Sequence, residues 1–293
     1  MTPVAVIDIG TNTTRLLVAE VEDGEVVELE RRTIITSLGK GVDATGRLAD
    51  DAMDRVAEAI AVYREVIDRL GVEKVVAVAT SAMRDAENGP NFHLYLKEKY
   101  GVDARTISGD EEARLTFLGA TAGRTDDRDT VVIDIGGGST EYVLGRAGGE
   151  PSFHTSTQMG SVRYTERFLH TDPPRPEELA AAAEAVREMV PRLEAAHAIA
   201  VAGTATSLAA IDGAEEVHGY RLSLASCERI AAMLAGKTVE QRRGVEGLHP
   251  DRAPTIIAGA AILLESMQLF GLGSVEVSEA DILHGAALDL AAK

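Results

Sequence analysis

VVIDIGGGSTEYVL, residues 131–144, runs apolar and β-branched side chains straight into Asp134, then three glycines, then Ser139-Thr140-Glu141 and a second apolar run. A short apolar run bounded by glycines reads as a buried strand. Gly136, Gly137 and Gly138 let the backbone turn tightly and approach a ligand closely, because no Cβ intervenes. Successive amides in such a turn can point into one concavity and bind an anion. Asp134 at the strand end and Glu141 on the returning strand would flank that concavity. Two carboxylates beside an anion nest require a cation between them, and oxygen ligands with phosphate suggest Mg²⁺. The segment therefore reads as a metal-assisted phosphate site. Two familiar phosphate loops do not fit. A dinucleotide fingerprint from Gly136 would need glycine where Glu141 stands. A P-loop ending at Gly236-Lys237-Thr238 would need glycine where Ala231 stands, and Gly39-Lys40 is followed by Gly41.

An ordinary tight hairpin would explain three glycines alone. The repeat argues otherwise. Val6-Ile7-Asp8-Ile9-Gly10 recurs as Val132-Ile133-Asp134-Ile135-Gly136, and in the same register Thr14 falls on Thr140. Only two copies exist, each opening roughly half of the chain, so this is a duplicated domain rather than a solenoid. Two strand–loop–strand units, each with an aspartate at a strand end, resemble the actin, sugar kinase and Hsp70-like ATPase superfamily. That resemblance implies an α/β fold of duplicated, ribonuclease H-like domains with a phosphate-clamping cleft between them. The expected domains are 1–125 and 126–293, divided at the polar stretch Thr125–Asp129, with the final helix a candidate to pack back on the first domain.

Composition narrows the function. The formal charge of −18 makes a nucleic-acid partner unfavourable. It also makes basic residues near glycine loops informative, because a polyphosphate-like ligand needs local cations to reverse the field. No stretch approaches the ~20 apolar residues of a membrane span. Met1-Thr2-Pro3 leads directly into a strand, which leaves no room for a signal peptide, so a cytoplasmic location is expected. Cys227 is the single cysteine, excluding intrachain disulfides and thiolate metal sites. The seven histidines show no metal spacing.

Along the chain, Val4–Ile9, Thr14–Val21 and Val26–Ile35 read as three strands joined by Gly10–Thr13 and Asp23-Gly24. Ser37–Gly46 is a glycine-rich loop carrying Lys40, either a flexible connection or a phosphate contact. Met53, Val56, Ile60, Tyr63, Ile67 and Leu70 repeat at helical spacing until Gly71 stops them. Lys74–Thr80 is a buried strand, and Arg84 just beyond it suits a bidentate phosphate contact; a surface pair with Asp85 or Glu87 is the bland alternative. Ser108–Ala113 opens a helix whose acidic first turn serves the helix dipole. Only the fold can single out Glu112 there. Ala198–Ala202 ends in a third small-residue loop, Gly203–Ser207, suited to a nucleotide, to more phosphate, or to close packing of a helix on a strand.

At this point several motifs agree. Asp8-Ile-Gly-Thr-Asn-Thr, Thr80-Ser-Ala-Met-Arg-Asp-Ala, Ser108-Gly-Asp-Glu-Glu-Ala-Arg, Ile133-Asp-Ile-Gly-Gly-Gly-Ser-Thr-Glu and Gly203-Thr-Ala-Thr together resemble the exopolyphosphatase / guanosine pentaphosphate phosphohydrolase (Ppx/GppA) family, in its order and over nearly the whole chain. The resemblance implies hydrolysis of a terminal phosphate from inorganic polyphosphate or guanosine pentaphosphate, with Mg²⁺ or Mn²⁺, by a homodimer. It carries the general base to Glu112 and metal or water contacts to Asp134, Glu141 and, through the repeat, Asp8. Phosphate contacts go to Thr11, Asn12, Thr13, Arg84, Gly136, Gly137, Gly138 and Ser139. Longer relatives carry further C-terminal helical domains, so short chains are the expected substrate. The rivals are an actin-like or chaperone-like nucleotide-binding module and a small-molecule kinase; no acceptor motif supports the kinase.

Overall fold

Both copies of the repeat fold as antiparallel hairpins in the computed structural model, which describes residues 3–125 and 127–292. Met1 and Thr2 of the expected N-terminus, Asp126 of the expected linker and Lys293 lie outside the described residues. In the first sheet, β1 (Val4–Ile9) pairs antiparallel with β2 (Thr13–Glu22), and β2 with β3 (Glu25–Ile35). On its other side β1 pairs parallel with β4 (Lys74–Ala79), and β4 with β5 (Ala104–Thr106), so the order is β3-β2-β1-β4-β5. The second sheet comprises β6 (Thr130–Ile135), β7 (Thr140–Gly145), β8 (Phe153–Thr157), β9 (His197–Val201), β10 (Arg221–Ser223) and β11 (Ser274–Val277). Its order is β10-β11-β9-β6-β7-β8. Read from β8, the sequence β8-β7-β6-β9-β11 repeats the first sheet strand for strand, with β10 as an added antiparallel edge. The duplicated α/β fold expected from the repeat is the one the chain adopts.

Central strands explain the unbroken apolar runs. Every residue of β1 and of β6 is buried, as expected for strands covered on both faces. The aspartates Asp8 and Asp134 sit one residue before the ends of these strands, where burial is as complete as in the core. The helix Asp50–Arg69 covers the first sheet with Val56, Ile60, Tyr63 and Ile67, and Tyr63 donates to the Thr14 carbonyl at 2.6 Å. Leu70, expected on that apolar face, instead caps the helix and is exposed, because the turn at Gly71 carries the chain outward. Gly203–Ser207, expected as a loop, lies inside the helix Ala202–Ile211, so the chain passes from β9 into this helix without a connecting segment.

Two compact units emerge, Met1–Thr125 with Asp281–Lys293, and Asp126–Ala280. The chain returns to its first unit through the helix Ile282–Ala291, which buries Ile282, Leu283, Ala286 and Ala287 with Val4, Val6, Leu17 and Leu115. The crossing with the helix Gly109–Ala120 is close enough to require glycine on both sides. A Cβ on Gly119 would lie 1.9 Å from the Asp281 carbonyl oxygen, and one on Gly285 would lie 1.8 Å from that of Leu115. Alanine is the better helix former by ~1 kcal/mol, so propensity alone would make Gly119→Ala stabilising. The clash should reverse the sign: Gly119→Ala is expected to destabilise by about 1–3 kcal/mol, the usual cost of overpacking, as read from urea unfolding.

Candidate active site

In the second unit, the glycine loop is held by its carbonyls. Gly136 N donates to Ser139 O at 3.0 Å, closing the hairpin turn. Gly136 O then accepts from Ser161 N at 2.9 Å, and Gly137 O from Val162 N at 2.9 Å and Arg163 N at 3.1 Å. Arg163 Nε donates to Gly138 O at 2.7 Å. These amides belong to the first turn of the helix Ser161–Phe168, whose N-terminal N–H groups lack intrahelical partners. One interaction thus satisfies both helix and loop. It leaves the amides of Gly137, Gly138 and Ser139 with no backbone acceptor among the described residues, the arrangement of an anion nest. Gly160 makes the contact possible, since a Cβ there would lie 2.4 Å from Gly137 C and O. Sequence reading passed over Gly160 and Arg163; a glycine before a helix carries no local sign of what packs on it.

Hairpin register brings the carboxylates together. Asp134 is the cross-strand partner of Glu141, and directly opposed residues of an antiparallel pair share one face. Both are buried, and Ser156 Oγ donates to Glu141 Oε1 at 2.6 Å. In the first unit the equivalent pair is Asp8 and Arg15. Here an ion pair stands where the second unit has a carboxylate pair: Arg15 Nη2 and Nε reach Asp8 Oδ2 at 2.7 and 3.0 Å, while Nη1 pairs with Asp281 Oδ2. Arg15 was legible in principle, because the register that sets Thr14 on Thr140 sets Arg15 on Glu141. Asp281 was not, since it lies 266 residues away in sequence.

The three charges respond differently to burial. Desolvation pushes the Asp8 carboxyl above its ordinary range, and Arg15 offsets only part of this. Burial opposes ionisation of Asp281 as well, but Arg15 and the Leu283 amide outweigh it and the net shift is downward. The difference has a structural cause. Asp281 Oδ1 accepts from Leu283 N at 3.0 Å as the cap of the last helix, whereas Asp8 Oδ1 is buried with no hydrogen-bond partner among the described residues. The Arg15 guanidinium, paired with both, is held charged: desolvation lowers its pKa, but the two carboxylates raise it further.

Thr11 and Asn12 form the first loop, while Thr13, expected in it, is the first residue of β2 because it already pairs with Ile35 of β3; much of the loop's polarity is committed to building it. Thr11 Oγ1 accepts from Ala82 N at 3.2 Å, its carbonyl accepts from Gly39 N at 2.8 Å, and Asn12 O accepts from Thr36 N and Ser37 N at 3.0 and 2.9 Å. Arg84 pairs with neither Asp85 nor Glu87. Its Nη1 donates to Ile107 O at 2.9 Å and to Glu112 Oε2 at 3.2 Å. The structure therefore joins two residues proposed on separate grounds, and it separates Glu112 from its neighbour. Ser108 caps the helix by accepting from Glu111 N, and Glu111 lies outside in a two-pronged pair with Arg105 at 2.6 and 2.7 Å; Glu112 is buried. Bonding to Arg105 holds the Glu111 carboxyl below its usual value.

Gly203–Ser207 offers less than its composition suggested. Thr206 and Ser207 hydroxyls donate back to the Ala202 and Gly203 carbonyls. The Arg252 guanidinium lies on Gly203, where a Cβ would meet Nη1 at 1.7 Å. Ala202 enters the helix at φ +64°, a left-handed conformation costly for alanine.

Among the described residues no three His, Cys, Asp or Glu side chains gather as a metal site. The donor set nevertheless suits Mg²⁺, which takes one or two protein carboxylates and fills its shell with water and substrate phosphate. In the second unit Asp134 and Glu141 would supply those carboxylates; in the first, Asp8 Oδ1 is a buried carboxylate oxygen with no hydrogen-bond partner among the described residues.

Comparison with known proteins establishes the family. The family model for the Ppx/GppA phosphatase family matches residues 17–293. Exopolyphosphatase 2 of Mycobacterium tuberculosis is 39% identical over 319 aligned residues, covering 99% of each chain. The Ppx/GppA family member of Aquifex aeolicus superposes with a TM-score of 0.83 at 30% identity, over 99% of this chain and 98% of that one. An exopolyphosphatase from Cytophaga hutchinsonii superposes with a TM-score of 0.91 at 26% identity, over 98% of both. The chain belongs to the Ppx/GppA phosphatase family.

Proposed function

We propose that this protein is an exopolyphosphatase, removing the terminal phosphate of short inorganic polyphosphate. The observation that carries this reading is the Gly136–Ser139 loop, whose carbonyls are tied to the helix Ser161–Phe168 while its inner amides stay available beside Asp134 and Glu141. Phosphoanhydride hydrolysis asks mainly for charge neutralisation and a positioned water. Preorganised amides supply the first without reorganising, and Mg²⁺, bound by Asp134 and Glu141, would supply further charge stabilisation. Arg84 contributes its guanidinium to the phosphate oxygens.

Glu112 is the general base. Water oxygen attacks the terminal phosphorus, Glu112 takes the water's proton, and the bond to the bridging oxygen breaks, releasing orthophosphate and a chain shorter by one unit. The bond from Arg84 Nη1 to Glu112 Oε2 also bears on timing. Substrate phosphate that draws Arg84 toward itself would release Glu112 to act. The net charge of −18 supports short chains, since each added phosphate increases the repulsion.

Orthophosphate release from tripolyphosphate, long polyphosphate, guanosine pentaphosphate and ATP tests the reading. Tripolyphosphate should be cleaved fastest, guanosine pentaphosphate more slowly, and excess EDTA should abolish turnover. Preference for ATP, or no release from any polyphosphate, would overturn it. Glu112→Gln is expected to lose ~10²–10⁴ in rate while still binding substrate, with Glu111→Gln close to wild type. A loss below about tenfold, or ~1.4 kcal/mol, would remove Glu112 from the role. Gly160→Ala should displace the glycine loop and cost at least about a hundredfold in kcat/KM, or ~2.7 kcal/mol, compared by activity and melting temperature on the same preparation.

A further inference from the structure

Arg15 binds Asp8 in an unusual way. Two of its nitrogens, Nε and Nη2, converge on the single oxygen Oδ2, and Oδ1 is left buried without a partner among the described residues. Arginine and a carboxylate ordinarily pair as two forks, each nitrogen taking its own oxygen. Such a pairing would cover Oδ1. The third nitrogen, Nη1, is taken by Asp281 Oδ2.

Asp281 is itself rigidly placed. Its Oδ1 accepts from Leu283 N at 3.0 Å. The helix it caps is locked by the Gly119–Gly285 crossing, and His284 Nε2 lies 3.0 Å from Glu28 Oε1. The guanidinium thus has one carboxylate fixed by the last helix and another at the end of β1. An unpartnered buried oxygen costs free energy and persists only where its surroundings enforce it. In the second hairpin the position equivalent to Arg15 is Glu141, held by Ser156. The first hairpin therefore depends on a distant residue for an orientation that the second obtains from its neighbouring strand.

We infer that Asp281 is a positioning residue for Asp8: acting through Arg15, it keeps the buried Asp8 Oδ1 clear of the guanidinium, so that this oxygen can take part in binding magnesium and phosphate. The inference rests on the reading of Asp8 as part of the phosphate site.

A double-mutant cycle between Asp281→Asn and Asp8→Asn tests it. Asparagine at 281 keeps an oxygen for the Leu283 amide but loses the charge that draws Arg15. Two readouts are taken on each variant: kcat/KM for tripolyphosphate, and the dissociation constant of imidodiphosphate with Mg²⁺ from calorimetry, which requires no turnover. Asp281→Asn should lose at least about tenfold in both, and the double variant should match Asp8→Asn within about twofold, because coupled residues are not additive. Asp289→Asn, on the same helix but paired with Arg114, should stay within about twofold of wild type. Should Asp281→Asn fail to fold, Arg15→Lys enters the same cycle, since an ammonium cannot span both carboxylates in this geometry.

Wild-type behaviour of Asp281→Asn, or losses that multiply with those of Asp8→Asn, would overturn the inference. If the wild type binds imidodiphosphate but hydrolyses no polyphosphate, the proposed activity falls while the binding cycle still decides the role of Asp281. Absence of both binding and turnover overturns the two together.

Discussion

The register of two antiparallel hairpins governs what this protein can do. Ile9 faces Thr14 and Ile135 faces Thr140, so Asp8 is set against Arg15 and Asp134 against Glu141. A slip of one residue would send each of these side chains to the opposite face. Burial of both faces of β1 and β6 makes such a slip prohibitive, because it would reverse a complete set of core residues. The same apolar runs that build the core therefore hold the charged groups in place.

That placement has a cost, and each unit meets it differently. Charges taken out of water are tolerated only with partners. Asp8 has a buried ion pair on one oxygen and, among the described residues, no hydrogen-bond partner on the other; Glu141 has a hydroxyl donor from the adjacent strand. The Arg84–Glu112 pair links the turn after β4 to the first turn of the helix Gly109–Ala120. The glycine loop carries no charged side chain of its own; the first turn of the helix Ser161–Phe168 and the Arg163 guanidinium take up its carbonyls, and its inner amides are left without a backbone acceptor among the described residues.

Duplication preserved the scaffold and diversified the chemistry. Strand order, hairpin closure and the strand-end aspartate recur in both units, with Gly10 N bonded to Thr13 O at 2.9 Å as Gly136 N is to Ser139 O. The residue opposite the aspartate is glutamate in the second unit and arginine in the first, and Gly137-Gly138-Ser139 of the second corresponds to Thr11-Asn12-Thr13 of the first. Thr11 is now pinned by Ala82 and Gly39.

By itself the sequence determined the elements that depend on neighbours in the chain. Apolar runs marked the buried strands, glycines marked the hairpin turns, and the internal repeat disclosed the duplicated α/β fold and the Asp134–Glu141 pair, all consequences of periodicity and short-range geometry. Misreadings occurred where local composition was overridden: Gly203–Ser207 has the small residues of a loop but lies in the helix Ala202–Ile211, and Leu70 continues an apolar period but is exposed at its end. Only the tertiary structure decided which of two adjacent glutamates is buried, with Glu111 paired to Arg105 and Glu112 to Arg84. It alone brought Asp281 to Arg15 and packed Gly160 on the glycine loop. These contacts join segments far apart in sequence, and no local pattern encodes a partner that arrives only when the core closes.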